Sequence, residues 1–214
     1  INLFNSEIVP SDPRLPGITF LNIKYIIVDN SADLLKNDKE YKLLNETASF
    51  RIYESSKFLP RFFFVPDMKI YNSKKDLEDN IYFDQNKFDR QISLLSTDVR
   101  GIKYKPDCSE KNKLSKIEVI KYDLNYVKLK STSSCSGFIS SSETNFPGWK
   151  ATIDNIPAKI LTSNLSFRSI NIPTGTHIIT MEYEPTIYFI GGIMSLITLG
   201  GLLIFCEKNQ SVSE

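Results

Sequence analysis

Apolar positions along the chain fall into short runs separated by polar ones until residue 186, and then into one unbroken stretch. Residues 187–206, IYFIGGIMSLITLGGLLIFC, carry no charged side chain over twenty positions. At about 1.5 Å of rise per helical residue, such a stretch matches the roughly 30 Å hydrocarbon core of a bilayer, so the pattern predicts one C-terminal transmembrane helix. Lys208 is the nearby basic residue beyond it, which assigns 207–214 as a cytoplasmic tail and puts the bulk of the chain on the extracytoplasmic side. The competing reading of the same stretch is a hydrophobic helix buried in a water-soluble core.

Before residue 187 the period is two rather than 3.6. Tyr25-Ile26-Ile27-Val28 is β-branched and of buried-strand length, and over 48–54 the positions Ala48, Phe50 and Ile52 alternate with Arg51 and Tyr53 as in a half-exposed strand. Phe62-Phe63-Phe64-Val65, bracketed by Pro60 and Pro66, predicts a further buried strand, and Ser73 is positioned to cap a short helix over 73–80. Over 117–183, short strands are punctuated by Asp123-Leu124-Asn125, Pro147-Gly148, Asp154-Asn155 and Pro173-Thr174-Gly175. Turns at intervals of about eight to twelve residues predict a mainly β chain with an antiparallel β-sandwich or jelly-roll-like extracytoplasmic domain. The expected division is a linker or entry segment over 1–17, where Pro10, Pro13 and Pro16 oppose regular structure, a small α/β part over 18–113, and a β-sandwich part over 114–186. The span over 187–206 and the tail over 207–214 complete it.

Composition narrows the class. Lys+Arg 26 against Asp+Glu 25 leaves a net charge of +1 with the basic residues scattered, so nothing here attracts nucleic acid. Fourteen Phe and ten Tyr suit a β-rich head. A single histidine, His177, and no Cys-x-x-Cys pair argue against a zinc site, so neither a metal nor a cofactor is expected in this chain. Of the three cysteines, Cys206 closes the apolar stretch, while Cys108 and Cys135 form a candidate disulfide if the head faces an oxidising compartment. The opening INLFNSEIVPSDPR has neither an initiating Met nor a basic start followed by an apolar run. The chain is therefore expected to be the C-terminal piece of a longer membrane protein.

The order of the motifs carries a resemblance. Leu21-Asn22-Ile23-Lys24-Tyr25-Ile26-Ile27, Ile52-Tyr53-Glu54 with Leu59-Pro60-Arg61-Phe62-Phe63, Phe146-Pro147-Gly148-Trp149-Lys150-Ala151 with Asp154, Arg168, Ile172-Pro173-Thr174-Gly175-Thr176-His177, and Tyr183-Glu184-Pro185 before a span together resemble the C-terminal region of YfhO-like bacterial membrane proteins. The resemblance implies a polytopic GT-C type glycosyltransferase of the cell membrane. Such an enzyme takes sugar from a polyprenyl-phosphate donor and decorates envelope glycopolymers or lipids. It also implies that the catalytic acidic residue lies between N-terminal spans outside this chain, so no catalytic residue carries over. The alternative from another class is a non-enzymatic, membrane-anchored β-sandwich that binds carbohydrate or another envelope component.

Five residues are candidates for substrate binding. Trp149 can stack on a sugar ring while Lys150 and Asp154 hydrogen-bond its hydroxyls or hold a phosphate; equally, Pro147-Gly148 makes a tight turn and Trp149 seeds the core. Arg61 can clamp a phosphate or flank a strand paired with a carboxylate. His177 opens a strand after a turn, where a structural role competes with an acid–base one. Glu182 and Glu184, i and i+2 on a strand, offer paired carboxylates or the solvated edge of the headgroup region.

Overall fold

The computed structural model describes residues 20–81, 91–100, 102, 107–108 and 115–210, with 203–210 described by backbone alone. In chain order the elements are β1 (Tyr25–Asp29), β2 (Tyr41–Glu46), β3 (Phe50–Ser55), β4 (Phe62–Val65), β5 (Asp67–Tyr71), α1 (Lys74–Ile81) and β6 (Gln91–Leu95). They continue with β7 (Ser115–Asp123), β8 (Tyr126–Ser133), β9 (Gly137–Thr144), β10 (Trp149–Ile153), β11 (Ile156–Ala158), β12 (Ile160–Ser163), β13 (Phe167–Ile172), β14 (Gly175–Tyr183) and α2 (Thr186–Gln210). The chain is mainly β. Segment 1–17, expected as a linker, lies outside the described residues, as do 211–214 of the expected tail.

Among the described residues three sheets form: β1-β3-β2, the five-stranded β11-β10-β14-β8-β7, and the six-stranded β4-β9-β13-β12-β6-β5. The two larger sheets face each other across one apolar cluster. Phe62, Phe64, Ile139, Ile170 and Ile172 come from the six-stranded sheet, and Val127, Leu129, Ala151, Ile179 and Met181 from the five-stranded sheet. Alternation makes this possible: in β8, Val127, Leu129, Ser131 and Ser133 point inward and Lys130 and Thr132 outward. The six-stranded sheet is covered on its other face as well, by a second cluster of Phe20, Phe63, Val65, Ile92, Leu94, Phe138 and Leu161. Burial on both faces is why Phe62-Phe63-Phe64-Val65 reads as an unbroken apolar run.

Strand pairing runs across the expected boundary between a small α/β part over 18–113 and a β-sandwich part over 114–186. β4 pairs with β9 and β6 with β12, so strands from before residue 113 complete a sheet built mostly after it. Among the described residues the α/β character is carried by one unit, in which α1 lies between the parallel strands β5 and β6 at the sheet edge. Ser73 Oγ accepts the Asp76 N–H and caps α1. The strand over 25–28 is also less buried than expected. Tyr25 and Ile27 lie on the exposed face of β1, in a three-stranded sheet with an open side.

α2 contains the whole of 187–206. Among the described residues no helix is long and apolar enough to cross a membrane, so the expected transmembrane helix is not established by the fold. The charge-free stretch runs four residues past Leu202, the last side chain described. Between Ile187 and Leu202 its large apolar side chains are exposed, and no atom lies within 4 Å of a Cβ built on Gly191, Gly192, Gly200 or Gly201.

Candidate functional site

The end of the head from which α2 departs carries a cluster of charge and aromatic rings around one carboxylate. Glu143, near the end of β9, accepts from Tyr122 Oη, from Arg168 Nη2, and from Arg61 Nη1 at 3.1 Å. Arg61 Nη1 also donates to Tyr122 Oη at 2.5 Å, and its guanidinium carbon lies 4.9 Å from the Tyr122 ring centroid. Arg168 continues the chain of contacts: its guanidinium carbon stands 3.8 Å from the Trp149 ring centroid, and Trp149 meets Tyr183 at 5.3 Å between centroids.

Local structure explains this convergence. β10 and β14 pair with Trp149 opposite Tyr183, which brings the two rings together at one end of the strand pair. Arg168 sits where the β13–β9 register shifts, between Phe167 opposite Thr144 and Ser169 opposite Ser140. A bulge re-aims side chains that regular alternation would send elsewhere, and here it accompanies a guanidinium turned into the core edge. The Arg168 side chain is only 4% exposed, against 49% for Arg61. Two of its donors, Nε and Nη1, are buried with no hydrogen-bond partner among the described residues. The Trp149 ring face is what they meet instead, an electrostatic contact that partly replaces water.

Burial pushes the Arg168 guanidinium below its ordinary value, against the opposing pull of Glu143 and Tyr122. Arg61 is raised by its hydrogen bond to Glu143, with burial opposing. Tyr122 is raised by burial first and then by donating to Glu143. The cluster therefore holds two cations and one carboxylate with Arg61 at the solvent edge. That arrangement suits binding an anionic group there; it presents no activated nucleophile.

Of the five candidate residues, Arg61 and Trp149 are brought together through Glu143 and Arg168. Lys150 follows Trp149 on β10 and faces the other way, its Nζ 2.6 Å from Glu184 Oε2. Asp154 and His177 sit at the opposite end of the β10–β14 strand pair, six residues along β14 from Tyr183 or roughly 20 Å at ~3.3 Å per residue. They bond to each other, with Asp154 Oδ2 2.6 Å from His177 Nδ1. The set is thus two places, not one. Tyr122, Glu143 and Arg168 were not among the candidates, although an Arg at an inward position of the alternating FRSINI strand is a detectable signal.

Cys108 and Cys135 are joined by a disulfide with a Cα–Cα distance of 5.2 Å. Asp107 lies beside them, with its ligand atom within 4.8 Å of both sulfurs. With both sulfurs bonded to each other, no thiolate is left for a metal. No protein-family model, no curated protein and no solved structure matches the chain.

Proposed function

We propose that the chain is the C-terminal extracytoplasmic accessory domain and last membrane span of a polytopic glycosyltransferase, of the GT-C type that YfhO-like proteins represent. The enzyme would transfer sugar from a polyprenyl-phosphate donor to envelope glycopolymers or lipids, with the catalytic residue in segments outside this chain. The domain is a β-sandwich in this reading, and the donor and the acceptor meet it near the membrane surface.

The observation that carries the reading is the passage from β14 into α2. The strand ends at Tyr183, and within a few residues the chain enters a helix whose large apolar side chains from Ile187 to Leu202 are exposed. A helix that is predominantly hydrophobic belongs in a core or a bilayer, and the large apolar side chains of this one between Ile187 and Leu202 are exposed rather than packed on a sheet. Its charge-free sequence continues to residue 206, which brings it to spanning length. Arg61, at the same end of the head, would then stand at headgroup height, where the phosphate of a lipid-linked sugar lies.

The second reading, a membrane-anchored module that binds carbohydrate by stacking on Trp149, has less support. Arg168 covers that ring and Tyr183 crowds it.

Two measurements test the proposal. In intact cells, a membrane-impermeant thiol reagent should label Cys108, the less buried of the two, after reduction; labelling only after lysis would overturn the orientation. In lipid, residues 1–214 alone should transfer no sugar, whereas the full polypeptide should, and should lose transfer when the head is deleted. Turnover by the isolated chain, or undiminished transfer without the head, contradicts the accessory role.

A further inference from the structure

The exit of β14 is held between two turns. The Tyr183 N–H donates to the Asn125 carbonyl at 2.9 Å, in the β7–β8 turn, and the Glu184 N–H donates to the Gly148 carbonyl at 2.8 Å, in the β9–β10 turn. Each turn carries a large apolar side chain pointing into solvent. Leu124 is 96% exposed and Phe146 59%. Two-residue hairpin turns favour Asn, Asp and Gly because those residues accept the backbone geometry and water; a leucine at such a tip gains nothing from the fold of its own chain. Both side chains flank the start of α2, where Ile187, Tyr188 and Phe189 are exposed as well.

We propose that Leu124 and Phe146 insert into the boundary between lipid headgroups and acyl chains beside α2, so that the head touches the bilayer at three points and its tilt is fixed. The inference rests on α2 being a membrane span. A lipid surface is the occupant because the two side chains share one end of the head with a helix that enters lipid, and because Tyr122, two residues before Leu124, and Tyr188, in the first turn of α2, supply aromatic rings of the kind found at membrane interfaces. The contact is apolar rather than electrostatic. Lys121 pairs with Asp123 at 3.0 Å and Lys150 with Glu184 at 2.6 Å, leaving neither lysine as a free attractor for anionic lipid.

Three fixed points give the accessory role a physical basis. A head on one flexible stalk sweeps a cone, whereas a docked head holds Arg61 at constant height above the bilayer.

The test uses the whole chain in phosphatidylcholine vesicles, in a Cys206→Ser background with the Cys108–Cys135 disulfide intact. Single cysteines from Leu124→Cys, Phe146→Cys, Ile156→Cys and Ile197→Cys carry a polarity-sensitive fluorophore and are read against vesicles of brominated lipid. Ile156 is the control: it is 70% exposed, at the start of β11 just after the Asp154-Asn155 turn, at the opposite end of β10 from Trp149. The labels at 124, 146 and 197 should be blue-shifted and quenched, the label at 156 neither, with no change when salt is raised. Labels at 124 and 146 as wet as that at 156, with 197 quenched, would overturn docking and leave the span intact. An unquenched 197 would remove the span and the docking with it. Blue-shifted but unquenched labels at 124 and 146 would mean that a protein surface covers the turns, which overturns the lipid assignment.

Discussion

Asp154 and His177 lock the end of the β10–β14 strand pair opposite to α2. Oδ2 of Asp154 lies 2.6 Å from His177 Nδ1, Oδ1 of the same carboxylate accepts the Ile178 N–H at 2.8 Å, and His177 Nε2 faces the Thr174 carbonyl at 3.1 Å. Both ring nitrogens thus meet acceptors, and only the imidazolium can donate to both. The lock secures the β10–β11 turn, where Asp154 and Asn155 both adopt the positive φ, 50° and 67°, that a two-residue hairpin connection favours.

The first prediction concerns pH. The hydrogen bond to Asp154 raises His177 above its ordinary value, and the same bond lowers Asp154. His177 contributes its full stabilisation below its unfolded value of about 6.5 and loses it as pH rises through the raised folded value. Asp154 contributes above about 3.9 and loses its share as pH falls through the lowered one. The lock is therefore strongest between about pH 4 and pH 6.5. Because His177 is the sole histidine, one proton NMR titration reads it directly. Its midpoint should exceed that of a free histidine and fall in Asp154→Asn; equal midpoints in the two proteins would refute the lock.

Glu143 and Arg61 should differ sharply on truncation. Glu143→Ala strands the buried Arg168 guanidinium and should cost about 3–5 kcal/mol, whereas Arg61→Ala removes a half-exposed partner and should cost about 1 kcal/mol or less. Replacing the pair together, Glu143→Leu with Arg168→Met, should recover most of the loss, since no buried charge is left unpaired. Urea unfolding in detergent, followed through Trp149, the only tryptophan, measures all three. Equal costs for Glu143→Ala and Arg61→Ala would show that Glu143 is not the hub.

Gly148 sets the angle at which the chain leaves the head. Its φ is +112°, and an added Cβ would lie 3.0 Å from the Tyr183 ring and 3.1 Å from Pro185 Cα. Backbone strain of this kind costs on the order of 1–3 kcal/mol, and the contact with Pro185 is to backbone that cannot swing aside. Gly148→Ala should therefore lower the urea midpoint and loosen the turn. Faster hydrogen exchange at Tyr183 and Glu184, which bond to the flanking turns, is the accompanying signature; unchanged exchange there would mean the turn does not brace the exit.

What was legible in the sequence was local. Asp154-Asn155, Asp123-Leu124-Asn125 and the Ser73 cap depend on neighbours within a few positions, and each appears where its chemistry predicts. Long-range pairing was not legible: nothing near Phe62 or Leu94 says that they belong to a sheet with Ser141 and Ser163. The burial of β1 was misjudged because Tyr25-Ile26-Ile27-Val28 reads alike whether one face or two are covered. The site suffered most, since Glu143 and Arg168 are 25 residues apart and meet only through the bulge in β13.

The last prediction concerns the Cys108–Cys135 crosslink, which spans 27 residues. It ties the segment at 107–108 to the turn between β8 and β9, where Asp107 Oδ1 accepts both the N–H of Ser136 at 2.8 Å and its hydroxyl at 2.7 Å. Cys135 is buried in the cluster shared by the two larger sheets, and Cys108 packs against it. Closing a loop of this size should restrict the unfolded chain by about 3.5 kcal/mol on the chain-entropy estimate. Reduction should lower stability by that order without dismantling the core, because Phe62, Leu129, Ile139 and Ile179 keep their packing. Urea midpoints with and without reductant, alongside Cys108→Ala, measure it. The variant should match the reduced protein and ignore reductant. Identical midpoints for the oxidised and reduced wild type would show that the crosslink stabilises nothing, and a variant that still responded to reductant would place the sensitive bond elsewhere.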